Sequence, residues 1–219
     1  MWFRSIYLKT LRDFRVAILG WGVGMGLLMY VLLSAIPSLI ATPQARASLV
    51  SLAGQFSWLA APVAVDTVGG YATWKYGLTI LIIAVWALIA GSRLLRGEEE
   101  RGSMDTLLSL PRGRVRVALE KLAAMWAALL GMGVLIMLLT FAGAKTAHAM
   151  EIGLGDAALF ALNIVLICGV FGSIALLLSQ LTQERGTAAG VTGGLLIFFI
   201  VLDMVHRVIP NTEWISWGC

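Results

Sequence analysis

Charged side chains are scarce in this chain: Asp, Glu, Lys and Arg make up 13% of its 219 residues, about half the roughly 25% of an ordinary soluble domain. That shortage excludes a conventional water-facing surface. Cysteine is nearly absent, with Cys168 inside an apolar run and Cys219 at the last position. Two such residues provide neither a disulfide framework nor a C-x-x-C metal or redox motif, and both are read as free thiols. The histidines, His148 and His206, have no third ligand nearby, so no metal site is assigned. Met25 and Met29, one helical turn apart, are read as packing residues. A P-loop needs G-x-x-x-x-G-K-[ST] so that backbone amides and a lysine can hold phosphates. The Lys-Thr pairs, Lys9-Thr10 and Lys145-Thr146, follow Leu8 and Ala144 instead of glycine. The apolar runs lack charges, which argues against a proton relay or ion-coupled transport, and they hold no serine with a partnered base. No catalytic, cofactor-binding or metal residue is therefore assigned, and the chain is not read as an enzyme.

What is present is apolar. The hydrophobic set reaches 59% and the mean hydropathy is +0.90, and the apolar residues gather into blocks near the ~20 residues that a helix needs to cross a bilayer core. The expected spans are about 16–36, 72–92, 122–144, 157–178 and 187–202, five in all. The charge-free part of the second, 76–92, covers 17 residues, or about 26 Å at the helical rise, the short limit for spanning. Snorkelling by Lys75 and Arg93 makes up the difference. The predicted fold class is all-α, a polytopic transmembrane helical bundle. It comprises a transmembrane domain over 16–206, an N-terminal amphipathic interfacial helix over 1–15 and an external tail over 207–219. In the first segment Trp2, Phe3, Ile6, Tyr7, Leu11 and Phe14 follow helical spacing against Arg4, Lys9, Arg12 and Asp13, as in a helix lying on a leaflet of membrane lipid; a plain extension of the first span is the alternative. Residues 37–70 carry only Arg46 and Asp66 as charges and are expected to rest on the outer surface as short helices.

Cations orient the spans, because short cytoplasmic loops are rich in Lys and Arg. The N-terminal segment holds four, residues 93–121 hold seven, and Arg185 follows the fourth span; the other side holds Arg46, Lys75, Lys145 and Arg207. Twelve against four places the N-terminus inside and, with five spans, the C-terminus outside. The net charge of +4 is thus a mark of topology, and no nucleic-acid partner is expected.

The long cytoplasmic loop, 93–121, contains Gly97-Glu-Glu-Glu-Arg-Gly-Ser-Met-Asp-Thr-Leu-Leu-Ser-Leu-Pro-Arg-Gly-Arg114. Ser103 is suited to an N-cap, Asp105 to the positive end of a helix, and Pro111 to its termination, which predicts a short helix over 104–110. Met104, Leu107 and Leu108 form an apolar edge between Glu98, Glu99, Glu100 and Arg101 on one side and Arg112, Arg114 and Arg116 on the other. Such an edge either docks into a groove on a soluble partner or packs on its own bundle.

The same string resembles the signature loop of type 2 ABC transporter permeases: acidic, x, Gly, Thr or Ser, x, acidic, x, Leu-Leu-Ser, x, Pro, x, x, Arg. The resemblance implies that residues 104–110 are a coupling helix that inserts into a cytoplasmic ATP-binding subunit, and that the N-terminal amphipathic segment is the connecting helix. Its ATPase-coupling residues would be Glu98, Glu99, Glu100, Arg101, Gly102, Met104, Asp105, Leu107, Leu108 and Pro111. ATP and magnesium would be held by that partner, and this chain would bind no cofactor. It also implies a second permease copy or a related permease, with Gly20, Gly22, Gly24 and Gly26 of the first span and Gly190 and Gly194 of the fifth along the dimer seam and transport path; their four-residue spacing permits close helix approach, and packing within the chain is the alternative. The first external loop, with Gly70-Tyr-Ala-Thr-Trp-Lys75, is similar to permeases of polyketide-antibiotic and multidrug exporters. The family's unit has six spans, so a sixth is expected to be absent, truncated or supplied by a partner. The implied activity is efflux of an apolar or amphipathic substrate across a bacterial cytoplasmic membrane. Two other readings of the chain are a scaffold that docks a cytoplasmic partner and a lipid-handling membrane enzyme.

Overall fold

A computed structural model of the chain describes residues 6–56, 64–95, 113–147, 152–182 and 185–208. Seven helices lie among them: α1 (Ile6–Asp13), α2 (Arg15–Leu39), α3 (Pro43–Gln55), α4 (Val68–Arg93), α5 (Arg114–Thr146), α6 (Leu154–Leu181) and α7 (Arg185–Val208). The described residues include no strand. Helices α2, α4, α5 and α6 are long and apolar enough to cross a membrane, while α7 carries a shorter apolar stretch, Gly186–Leu202.

Local chemistry sets the helix limits. Thr42 caps α3 by accepting the Ala45 N–H at 3.1 Å, with Pro43 at the first helical position where its missing N–H costs nothing. Thr67 caps α4 in the same way, accepting from Gly70 at 3.1 Å. Asp156 accepts the Gly153 N–H at 2.8 Å and fixes the start of α6. Pro37 sits inside α2, which ends two residues later at Leu39, consistent with a ring that removes one helical hydrogen bond. Helix α5 has 33 residues, about 50 Å at the helical rise, so its charged first turns project beyond an apolar core of about 30 Å.

Four helices make the core by backbone approach at small residues. Helices α2 and α5 run parallel, with Gly131 against Ile18, Gly22 against Met132 and Leu135, Gly26 against Leu135 and Leu139, and Gly143 against the backbone of Tyr30. Helices α4 and α6 also run parallel: Tyr76 stacks on Phe160 with ring centroids 4.6 Å apart, and Gly91 meets the carbonyl of Gly172. The two pairs join along α5 and α6, antiparallel, where Gly133 faces Val165 and Gly169 faces the Trp126 ring. Helix α7 packs on the outside of α4 and α6, through Phe199 against Phe171 and Gly193 near Leu88.

Met29, Ile83, Leu129, Met132, Ile136 and Ile164 are among the fully buried side chains at the centre. Its few polar groups are matched internally. The Tyr76 and Thr140 hydroxyls are 2.7 Å apart, Trp126 Nε1 donates to Ser173 Oγ at 3.2 Å, and Ser173 in turn donates to the Gly169 carbonyl at 2.6 Å. Such pairing is required where water cannot compete for the groups.

The expected second span, 72–92, lies inside α4, and Lys75, which precedes its charge-free part, sits two turns into the helix with Nζ 4.1 Å over the Trp74 ring and 5.4 Å over Tyr71. A lysine with a long apolar stem and an aromatic platform need not end an apolar helix. Between α2 and α4, within the 37–70 stretch expected to form short helices, the described residues form one helix, α3; Trp58 lies outside them.

Candidate functional site

The expected coupling helix, 104–110, and Glu98, Glu99, Glu100, Arg101, Gly102, Met104, Asp105, Leu107, Leu108 and Pro111 lie outside the described residues. What the structure describes is the two footings of that loop. Helix α4 ends at Arg93 and is followed by Leu94 and Leu95, both buried; the chain is next described at Gly113, immediately before α5.

The footings meet at one end of the bundle. Ile6 of α1, Leu94 and Leu95 after α4, Val117 and Met125 of α5 and Leu176 of α6 form a single buried cluster, with Phe14, Leu122 and Trp126 at its edge. Helix α1 therefore has a protein face as well as an amphipathic pattern: its buried residues are Ile6 and Thr10. Phe14 links α1 to α2 almost without a break, its N–H donating to the Thr10 carbonyl at 3.1 Å and its carbonyl accepting from Ile18 at 2.8 Å. Its ring meets Trp86 of α4 edge to face, with centroids 5.6 Å apart.

Polar contacts at this end come from the second turn of α5. Glu120 Oε2 accepts from the Ile6 and Tyr7 amides at 3.0 and 3.3 Å, and its Oε1 accepts from Arg116 Nε at 3.2 Å. Lys121 is buried, and its Nζ donates to the Leu94 carbonyl at 2.6 Å. Sequence reasoning missed both roles, counting Lys121 only as one more cytoplasmic cation. The detectable signal was the adjacent opposite charges at the point where a polar loop turns into an apolar helix.

The six glycines expected along a seam divide into two sets. Gly22 and Gly26 are filled from within the chain, since a Cβ at Gly22 would lie 2.8 Å from Leu135 Cδ1 and one at Gly26 would lie 2.6 Å from Leu139 Cδ1. Gly20, Gly24, Gly190 and Gly194 have nothing within 4 Å of a Cβ. Positions two apart on a helix point about 200° from each other, which separates the two pairs of α2.

A family model described as ABC-2 family transporter protein matches residues 5–214, nearly the whole chain. The chain belongs to the ABC-2 transporter family. Two curated relatives agree. The Probable ABC transporter permease protein NosY of Pseudomonas aeruginosa is 30% identical over 170 residues, covering 68% of this chain and 53% of the relative. The protein of the same name from Stutzerimonas stutzeri is 28% identical over 160 residues, covering 69% and 54%. The ABC-2 chain thus spans about half the length of the curated relatives it matches. No solved structure matches it.

Family membership and four long apolar helices make this ABC-2 chain an integral membrane protein of the type 2 ABC permease class. Among its described residues no three His, Cys, Asp or Glu side chains group closely enough to hold a metal ion. His148 lies outside the described residues. Cys168 is a free, buried thiol whose Sγ is 3.7 Å from the Ile80 carbonyl. What this end of the bundle offers is one buried cluster braced by the Glu120 and Lys121 contacts, where α1, the exit of α4 and the start of α5 come together.

Proposed function

We propose that this chain is the membrane-spanning permease subunit of an ATP-driven ABC exporter. A separate cytoplasmic subunit supplies the ATPase and holds ATP and magnesium, and the permease moves an apolar or amphipathic substrate outward. The observation that carries this reading is the placement of residues 97–114, with their Glu-rich, Leu-Leu-Ser, Pro pattern, between α4 and α5 of a chain that belongs to the ABC-2 family.

In this reading α7 is a fifth span, and the protein sits in a bacterial cytoplasmic membrane with its N-terminus inside and its C-terminus outside. The α1 end of the bundle is then the cytoplasmic end, in keeping with the positive-inside rule. Met104, Leu107 and Leu108 seat in the ATPase, the charges of 98–101 and 105 flank that seat, and Pro111 ends the helix. Closure of two ATPase subunits on ATP displaces this helix and biases the bundle between inward and outward access. Gly20 and Gly24 of α2 with Gly190 and Gly194 of α7 supply the close-approach surface for a second permease copy or a related permease. Annular lipid covers the remaining apolar exterior.

The test is co-purification in mild detergent with Leu107→Arg and Leu108→Arg in parallel. An ATPase recovered with the wild-type protein and lost from both variants supports the reading. A monodisperse wild-type protein that brings down no ATPase removes the motor and defeats it.

A further inference from the structure

Glu120 and Lys121 stand outside the 98–111 set, yet they hold what that set is mounted on. Glu120 reaches back 114 residues to the first turn of α1, where its Oε2 accepts the Ile6 N–H at 3.0 Å and the Tyr7 N–H at 3.3 Å. Lys121 reaches back 27 residues to the exit of α4, donating to the Leu94 carbonyl at 2.6 Å. Amides at a helix start and carbonyls at a helix end are the groups a helix cannot match internally. The charge signs also fit, with a carboxylate at the positive end of α1 and an ammonium at the negative end of α4.

Adjacent residues on a helix point about 100° apart. One turn of α5 can therefore hold two different helices at once. Ile6, Leu94, Leu95 and Val117 pack together beneath these contacts, and the Lys121 side chain lies buried among the same elements, where an ammonium is retained only with good acceptors. Both footings of the 96–112 segment and the start of α1 are thus fastened to a single point.

We infer that Glu120 and Lys121 form a positioning clasp, which makes α1, the end of α4 and the start of α5 one base for the docking loop. A displacement of the loop is then delivered to α1 and to the bundle together, instead of bending one helix alone. This rests on the reading of 104–110 as the coupling helix that docks on the ATPase, and the experiment separates the two.

Hydrogen exchange is measured by mass spectrometry on the permease with its co-purified ATPase in nanodiscs, without nucleotide and after trapping with ATP, magnesium and vanadate. In the wild type, trapping alters exchange in residues 6–13 and in 91–95. In Glu120→Ala the ATPase stays bound and 91–95 still responds, but the response of 6–13 is lost; Glu120→Gln, which keeps an acceptor oxygen, restores part of it. In Lys121→Met the pattern reverses, with loss at 91–95. Without nucleotide, Glu120→Ala speeds exchange at the Ile6 and Tyr7 amides about fivefold, the size expected for losing a helix cap. A nucleotide response of 6–13 that survives in Glu120→Ala overturns the clasp. Leu107→Arg serves as the control on the underlying reading. If the ATPase stays bound to it, the docking assignment has failed, and the clasp is judged on the nucleotide-free arm: faster exchange at Ile6 and Tyr7 in Glu120→Ala supports it and unchanged exchange overturns it.

Discussion

Helix α2 carries two Gly-x-x-x-Gly pairs offset by two residues, and their surroundings are opposite. Gly22 and Gly26 are met by Leu135, Met132 and Leu139 of α5, whereas Gly20 and Gly24 face open space. The same division recurs on other helices. Gly91 of α4, Gly172 of α6 and Gly143 of α5 lie where backbones cross inside the bundle, while Gly186, Gly190 and Gly194 of α7 meet nothing. A four-residue glycine spacing therefore marks a flat helix face and leaves open what covers it. In lipid no hydrophobic force sorts helices, and closeness of backbone contact takes its place. The inner set is committed to the fold; the outer set is free for another use.

The largest effect that sharpens this contrast is expected at Gly91. A Cβ there collides with the carbonyl of Gly172 and comes within 3.2 Å of the Ala175 Cβ, and backbone cannot swing aside as a side chain does. Gly91→Leu should separate α4 from α6 and cost more than the roughly 1–3 kcal/mol usual for overpacking. The check is loss of the monodisperse peak and of the thermal transition in detergent. Gly22→Val comes next. Its added atoms meet the flexible Leu135 Cδ1 at 2.8 Å but also the Met132 Cα at 3.1 Å, so a loss of about 1–3 kcal/mol is expected, seen as a lowered melting temperature with the protein still folded. Tyr76→Phe is smaller. It removes the 2.7 Å contact with Thr140 and keeps the stacking on Phe160, so about 0.6 kcal/mol is expected, the mean for hydrogen bonds between membrane helices, measured by the same melt.

These residues also show where sequence reasoning stops. The expected spans at 16–36, 122–144 and 157–178 fall inside α2, α5 and α6, because bilayer thickness and charge depletion are properties of single segments. Both ends of α5 and α6 extend further, since a helix continues past the apolar core wherever its polar flank is also helical. The contacts that tie the exit of α4 and α1 to α5 could not be read, because they are long-range: the partner of Lys121 is a backbone carbonyl 27 residues away and that of Glu120 is a pair of amides over 110 residues away. A backbone partner has no side-chain identity, so the sequence shows the adjacent opposite charges but not the groups they bind. For the glycines, spacing was legible and orientation was not, since the choice between Gly20/Gly24 and Gly22/Gly26 depends on which side α5 occupies.

The smallest effect on the fold is expected at the open positions, and its sign is what tests the comparison. Ala at Gly20, Gly24, Gly190 or Gly194 meets no atom within 4 Å and removes backbone freedom from the unfolded chain, so each change should leave the melting temperature unchanged or raise it by the equivalent of about 0.4–1 kcal/mol. The opposite sign at Gly91→Ala, measured in parallel, would sharpen the contrast; an equal loss at both would break it. Bulk separates the remaining possibilities for the outer face. Gly20→Leu with Gly24→Leu, and Gly190→Leu with Gly194→Leu, keep the bundle intact but hold a neighbouring backbone away from α2 or α7. If these faces meet a second copy, chemical cross-linking in nanodiscs should give a dimer band for the wild type that the double variants, purified as folded monomers, lose. If they face only lipid, cross-linking is unchanged, and the open glycines of α2 and α7 are nothing more than flat surface beneath acyl chains.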